Sequence, residues 1–133
     1  IEVFARRGLV VDFSGSWILP RIIGVQKAKE LMMTATEING TTLNDYGVLY
    51  KLVEKPDLDS ELNNLVDLLD KQSFISICMI KDQIRKGLNT NFDESLSNET
   101  DNQNSRFVHS DVIEGMTAFV EKRQPEYKNT LDE

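Results

Sequence analysis

The clearest periodicity lies in the second half of the chain. Leu58, Leu62, Leu65, Val66 and Leu69 recur at spacings of three and four, the mark of one apolar helix face, and predict an amphipathic helix from Asp57 to about Lys71. Phe74, Ile77, Ile80, Ile84 and Leu88 continue the pattern in a second helix that ends at Gly87 or Asn89. Phe92 and Leu96 begin a third, which runs into the almost wholly polar residues 97–105, read as a loop or a solvated helix face. Val112, Met116, Phe119 and Val120 form the stripe of a last helix, Asp111 to Arg123, and Asp111 and Glu114 have the spacing of a capping box. The tail from Gln124 carries no pattern and reads as loose.

The first 55 or so residues have another texture, with most of the glycines and only short apolar runs, which reads as mixed strand, turn and helix. Val3-Phe4-Ala5 predicts a short strand. Leu9-Val10-Val11 leads into a turn at Asp12 to Gly15, after which Ser14 or Ser16 can cap a helix through Trp17, Ile18 and Leu19. Pro20 falls in the first turn or two of that helix, where a missing N–H costs least, and Gly24 ends it. Val25 to Thr34 predicts another helix, with Ala28, Leu31 and Met32 on one face. Val48 to Val53 is β-rich and predicts a strand, stopped by Lys55-Pro56-Asp57.

Composition narrows the function. The 133 residues are 40% hydrophobic and 28% charged, as in a single globular domain, and the net charge of −7 argues against a nucleic-acid binder, which needs clustered Lys and Arg. No apolar run approaches the ~20 residues that span a bilayer. No secretory pattern opens the chain, so a cytoplasmic location is expected, and Ile1 in place of Met implies a piece of a longer protein. A single Cys78 gives no internal disulfide and no Cys-based zinc site; it reads as small core filling, and no metal is expected. His109, just before a helix, reads as a surface or capping residue. Asp57, Asp59 and Glu61 suit a first helical turn, and the Asn39-Gly40-Thr41 and Asn98-Glu99-Thr100 glycosylation patterns read as chance.

Two blocks carry a family resemblance. The run from Phe4 to Gly24, with Gly8-Leu9, the turn Asp12-Phe13-Ser14-Gly15 and Leu19-Pro20-Arg21 followed by Gly24, resembles a signature of the crotonase (enoyl-CoA hydratase/isomerase) superfamily. Glu114-Gly115-Met116-Thr117-Ala118-Phe119-Val120-Glu121-Lys122-Arg123-Gln124-Pro125 resembles its C-terminal signature. The chain departs from the pattern at Ser14, where the first of two glycines is usual, and at Gly40-Thr41-Thr42, where many members have Ala-Glu-Ala. The resemblance implies an α/β fold: residues 1–56 would end a ClpP/crotonase-like ββα spiral, and residues 57–133 would form a C-terminal α-helical trimerisation region. It implies only the second half of such a protein. The missing N-terminal half would supply the backbone N–H pair that holds a thioester oxygen, so this chain alone is expected to be inactive.

The same resemblance assigns chemistry. Hydratases of the family carry a Glu four residues before the Gly of the Gly-Leu motif; that position is Phe4, which transfers no proton and is read as lining the substrate site. Glu2, two residues further back and ~7 Å away along a strand, is a weak substitute. Other members carry an Asp four residues after that Gly, here Asp12, as do dienoyl-CoA isomerases, ring-epoxide phenylacetyl-CoA isomerases and aromatic acyl-CoA dehalogenases. Asp12 is therefore the expected acid/base, and the wording around Trp17 is nearest the phenylacetyl type. Apolar neighbours would favour its protonated form and a helix N-terminus its charged form. Its residue-level alternative is a turn or cap residue.

Phe13 and Trp17 are expected at the acyl group, with core packing as the alternative. Phe119 and Lys122 match the spacing of the family's CoA-contacting aromatic and Lys, with core and solvated roles as the alternatives. Arg6 or Arg7 could serve the entrance, although a surface role fits them better. With a net charge of −7, local cations rather than overall steering must attract CoA. The expected substrate is an acyl-CoA thioester, with no cofactor beyond the CoA it carries, and the expected assembly is a homotrimer or hexamer built on the Met116, Phe119 and Val120 stripe. The alternatives are hydration with a carboxylate from the missing half, nucleophilic ring substitution, and an inert binding or assembly module.

Overall fold

The computed structural model describes residues 1–128, and its described part is mainly helical, with no strand. It divides into two compact units, Ile1–Asp57 and a second that starts at Leu58.

The first unit holds α1 (Gly15–Ile23), α2 (Val25–Thr34) and α3 (Gly40–Asp45), with short 3-10 turns at Ala5–Arg7 and Lys55–Asp57. α1 and α2 pack against each other. They are joined by Gly24 alone, at φ 82° and ψ 155°, a conformation that is open to glycine and strained for other residues. Ala28 and Leu31, with Ala35 at the C-cap, are the buried apolar residues of α2. Arg6 donates from Nη2 to the Ala35 carbonyl at 2.8 Å, placing a cation on a helix C-terminus and tying the 3-10 turn to α2.

Both expected strands, at residues 3–5 and 48–53, are corrected here: among the described residues neither forms. Phe4 has helical dihedrals and its carbonyl accepts from the N–H groups of Arg7 and Leu9, both at 2.9 Å, while Gly8 reverses the chain at φ 71°. Residues 48–53 join no ladder. A strand exists through its neighbour's backbone, and no described segment supplies one. The unpredicted α3 takes its start from Asn39, whose Oδ1 accepts from Thr42 N–H at 2.9 Å. The apparent glycosylation motif is thus a helix cap.

The second unit contains α4 (Leu58–Asp70), α5 (Phe74–Gly87), α6 (Phe92–Arg106) and α7 (Ser110–Glu121), with α5 packed on α6. The polar stretch at 97–105 is the solvated helix rather than the loop. Its start is capped by Asn91, which accepts from Glu94 N–H at 2.9 Å. Three helix ends meet in one polar cluster. Ser73, buried at the N-cap of α5, donates its hydroxyl to Asp111 Oδ2 and accepts from Ser76 N–H at 3.4 Å. Arg106 at the end of α6 donates to Asp111 Oδ2 at 3.3 Å and to His109 Nδ1 at 2.9 Å. His109 caps α7 by accepting from Asp111 N–H at 3.2 Å. The expected Asp111–Glu114 capping box is therefore not formed: Asp111 turns to Ser73 and Arg106, and Glu114 turns to Arg123.

The tail after α7, expected to be loose from Gln124, is held as far as Tyr127; its residues 129–133 lie outside the described residues. Arg123 grips Glu114 with two bonds, at 2.6 and 2.9 Å, and Glu121 with a third at 2.7 Å. Glu126 N–H donates to Glu114 Oε1 at 2.7 Å. A Cβ on Gly115 would lie 2.9 Å from the Tyr127 hydroxyl, so the missing side chain there lets the tail lie close on α7. Cys78, expected in a core, is exposed. So are Leu58, Leu62 and Leu69 of α4 and Ile113, Met116, Phe119 and Val120 of α7.

Two outcomes follow for the intact protein. Ser73→Ala removes a cap and one donor to Asp111, and should cost about 1–3 kcal/mol in urea unfolding; an unchanged midpoint would show that the cluster carries no stability. Arg123, and after it the Glu126 N–H, holds the Glu114 carboxyl down to about 2 from its ordinary 4.5. A lowered folded value means stability present above 4.5 and lost as pH falls toward 2. Glu114→Gln should thus lower the melting temperature at pH 7, and the gap from the parent should close on acidification.

Candidate functional site

The sequence-predicted residues fall into two groups, one in each unit. In the first unit, Asp12, Phe13 and Trp17 lie on one hydrogen-bonded path. The Asp12 carbonyl accepts Gly15 N–H at 2.9 Å, and the Ser14 carbonyl accepts Trp17 and Ile18 N–H at 3.0 and 2.9 Å, opening α1. Phe13 and Ser14 both adopt left-handed dihedrals, φ 47° and 62°. For residues with a Cβ each costs about 1 kcal/mol or more, and such outliers gather at functional sites. This is the position where Ser14 departs from a glycine, and the left-handed φ explains the preference for glycine. It also explains why Ser14, although at the N-cap, makes no side-chain cap bond: the capping geometry needs an extended residue. Gly15 allows a close approach: a Cβ there would lie 2.7 Å from Val11 Cγ1 and force that side chain or the turn to shift.

The turn is presented, not enclosed. Asp12 is exposed, Phe13 is 94% exposed and Val10 86%, while Val11 alone in this stretch is half-buried. The apolar surround expected for Asp12 is therefore not built by this chain's own residues. Trp17 is 37% exposed and carries the Arg21 guanidinium over its ring, 3.9 Å from the centroid. Arg21 also donates from Nη1 to the Trp17 carbonyl at 2.9 Å. Sequence reasoning passed over Arg21. Its signal was the i,i+4 spacing from Trp17 on a helix. Pro20 is the sixth residue of Gly15–Ile23, in the second turn of α1, and with no N–H there the Ser16 carbonyl lacks a helical partner. Phe4 is half-buried in the same unit, before the 3-10 turn rather than on a strand.

In the second unit Phe119 and Lys122 sit at the end of α7. Phe119 is 80% exposed, which removes the core alternative within this chain. Lys122 is the exposed C-cap, left-handed at φ 56°, with its N–H on the Phe119 carbonyl. His109 is a helix cap held by Arg106, as read from its place before a helix. A groove of about 300 Å³ on α5, lined by Phe74, Cys78, Met79 and Asp82 among others, includes none of the predicted residues. Among the described residues no group of three His, Cys, Asp or Glu could hold a metal ion. Nor, among them, is any helix long and apolar enough to cross a membrane.

Comparison with known proteins covers both units. The enoyl-CoA hydratase/isomerase family model matches residues 2–130. The chain is 30% identical over 127 residues to a trans-2-decenoyl-acyl-carrier-protein isomerase of Streptococcus mutans serotype c, covering 96% of this chain and 48% of the relative. It is 27% identical to a 1,2-epoxyphenylacetyl-CoA isomerase of Escherichia coli K12, with 96% and 48% covered. A crystal structure of an enoyl-CoA hydratase from Polaromonas sp. JS666 superposes with a TM-score of 0.89 at 29% identity, over 95% of this chain and 49% of that one. The chain thus spans about half the length of the curated relatives it matches. The two sequence blocks, the Asp12 turn opening α1 and the match along nearly the whole chain agree, and the chain belongs to the enoyl-CoA hydratase/isomerase family of the crotonase superfamily.

Proposed function

We propose that the whole protein is an acyl-CoA-processing enzyme that moves a double bond or its equivalent by proton transfer, with Asp12 as the acid/base. The observation that carries this reading is the turn itself. An exposed carboxylate directly precedes two strained left-handed residues, and its sequence neighbours Val10 and Phe13 are apolar and left uncovered by this chain. The isomerase names of the two relatives reported above support the same reaction type. Phe4, where hydratases would carry a Glu, speaks against hydration by this half alone.

In this mechanism the thioester oxygen is held by backbone N–H groups from the other half of the protein. The Asp12 carboxylate takes a proton from one carbon of the acyl chain. The electron pair left behind is delocalised onto the thioester oxygen as an enolate, and the proton is returned to another carbon, so that atoms and charge balance and the double bond has moved. Phe13 and Trp17 flank the acyl group, and Phe4 lines the approach. Phe119 stacks on and Lys122 pairs with the nucleotide end of CoA, Lys122 acting as a point charge. The exposed Met116, Phe119 and Val120 of α7 support assembly of the helical region into a trimer or hexamer, and residues 1–56 read as the end of the spiral. The unpaired Cys78 suits a reducing compartment, and we place the enzyme in the cytoplasm. Hydration through a carboxylate of the other half is the second reading, favoured by the likeness to the Polaromonas hydratase.

Asp12→Asn keeps the shape of the side chain and removes its basicity. In the intact protein, turnover of an enoyl-CoA should fall by about 10²–10⁴-fold while thioester binding stays within a small factor. Retained turnover would take Asp12 out of the mechanism and leave the hydratase reading.

A further inference from the structure

We propose that Arg21 is a positioning residue that holds the Trp17 indole as a flat apolar wall for a planar acyl group, an inference that rests on the acyl-site reading of the Asp12 turn. Three observations carry it. The Arg21 guanidinium carbon lies over the indole, 3.9 Å from its centroid. The same group donates at 2.9 Å to the carbonyl of Trp17, so one side chain holds both the ring and the backbone of the residue it covers. Among the described residues no carboxylate forms an ion pair with Arg21. Its contacts there are directed to Trp17.

An exposed tryptophan at a helix start would otherwise sample several rotamers, and ordering it would weaken any ligand that stacks on it. A planar cation against one face removes that freedom beforehand while 37% of the residue remains exposed. The ring is also tied to the candidate base through backbone alone, because Asp12 and Ser14 accept the N–H groups that set the turn and the first turn of α1. A wall held this way favours aryl or conjugated acyl groups, which stack, over short saturated ones, which do not.

The test is binding of phenylacetyl-CoA and butyryl-CoA to the intact protein, measured by calorimetry. Arg21→Met should weaken phenylacetyl-CoA by about threefold to fivefold and butyryl-CoA by less than about twofold. Arg21→Lys, which keeps the charge without the planar stack, should fall between parent and R21M and serves if R21M folds poorly. In a Trp17→Ala background, Arg21→Met should add nothing. Equal losses for both thioesters, no loss, or a loss that persists without Trp17 would overturn the inference. Because binding is the readout, an Asp12→Asn variant that still turns over sinks the proton-transfer reading without touching this one. Failure of the parent to bind either thioester sinks both.

Discussion

The turn from Asp12 to Gly15 constrains everything that follows it in the first unit. A Cβ on Gly15 would lie 2.7 Å from Val11 Cγ1, so the turn packs closely on Val11 at this glycine. Phe13 and Ser14 then accept left-handed dihedrals that cost energy, and the recovered gain is an α-helix whose first N–H groups bond at once to Ser14. That sequence of events places Asp12 just before the helix and Trp17 within its first turn. The backbone positions of Asp12 and Trp17 are thereby fixed relative to each other, as the proton transfer proposed for Asp12 requires.

The second unit is organised differently. Its helices are joined through polar ends rather than through a large apolar centre. Ser73, Arg106, His109 and Asp111 bring the start of α5, the end of α6 and the start of α7 to one point, and Arg123 closes the far end of α7 on Glu114. Charge-assisted bonds of this kind set angles well. They leave the apolar stripe of α7 outward, with Phe119 beside Lys122. One helix therefore presents Met116, Phe119 and Val120 exposed together with Lys122, the face on which the proposed assembly and CoA contact rest.

Much of this was legible in the order of residues. The i,i+3 and i,i+4 repeats located α2, α4 and α5, and Gly24 marked the break between the first two helices, because periodicity and glycine conformation are local properties. The Gly8-Leu9 to Gly24 and Glu114 to Pro125 blocks placed the family, and with it Asp12, Phe119 and Lys122 as residues to watch. The two strands were misread, since β-propensity describes a fit to a neighbour's surface and here that neighbour is absent from the described chain. The capping box at Asp111 failed for a related reason: a carboxylate serves the strongest donors within reach, and Ser73 lies 38 residues away in the chain.

Sequence by itself determined the helices with a clear apolar repeat, the break at Gly24 and the family that supplied the pattern, because those depend on side chains a few positions apart. Tertiary structure decided what each polar side chain does. It made Asn39 and His109 caps, sent Glu114 to Arg123, bent the tail over Gly115, and showed that the strain of the Asp12 turn lies at Phe13 and Ser14. The physical reason is that hydrogen bonds and ion pairs are chosen by distance in space, and distance in space is what a linear order of residues leaves open.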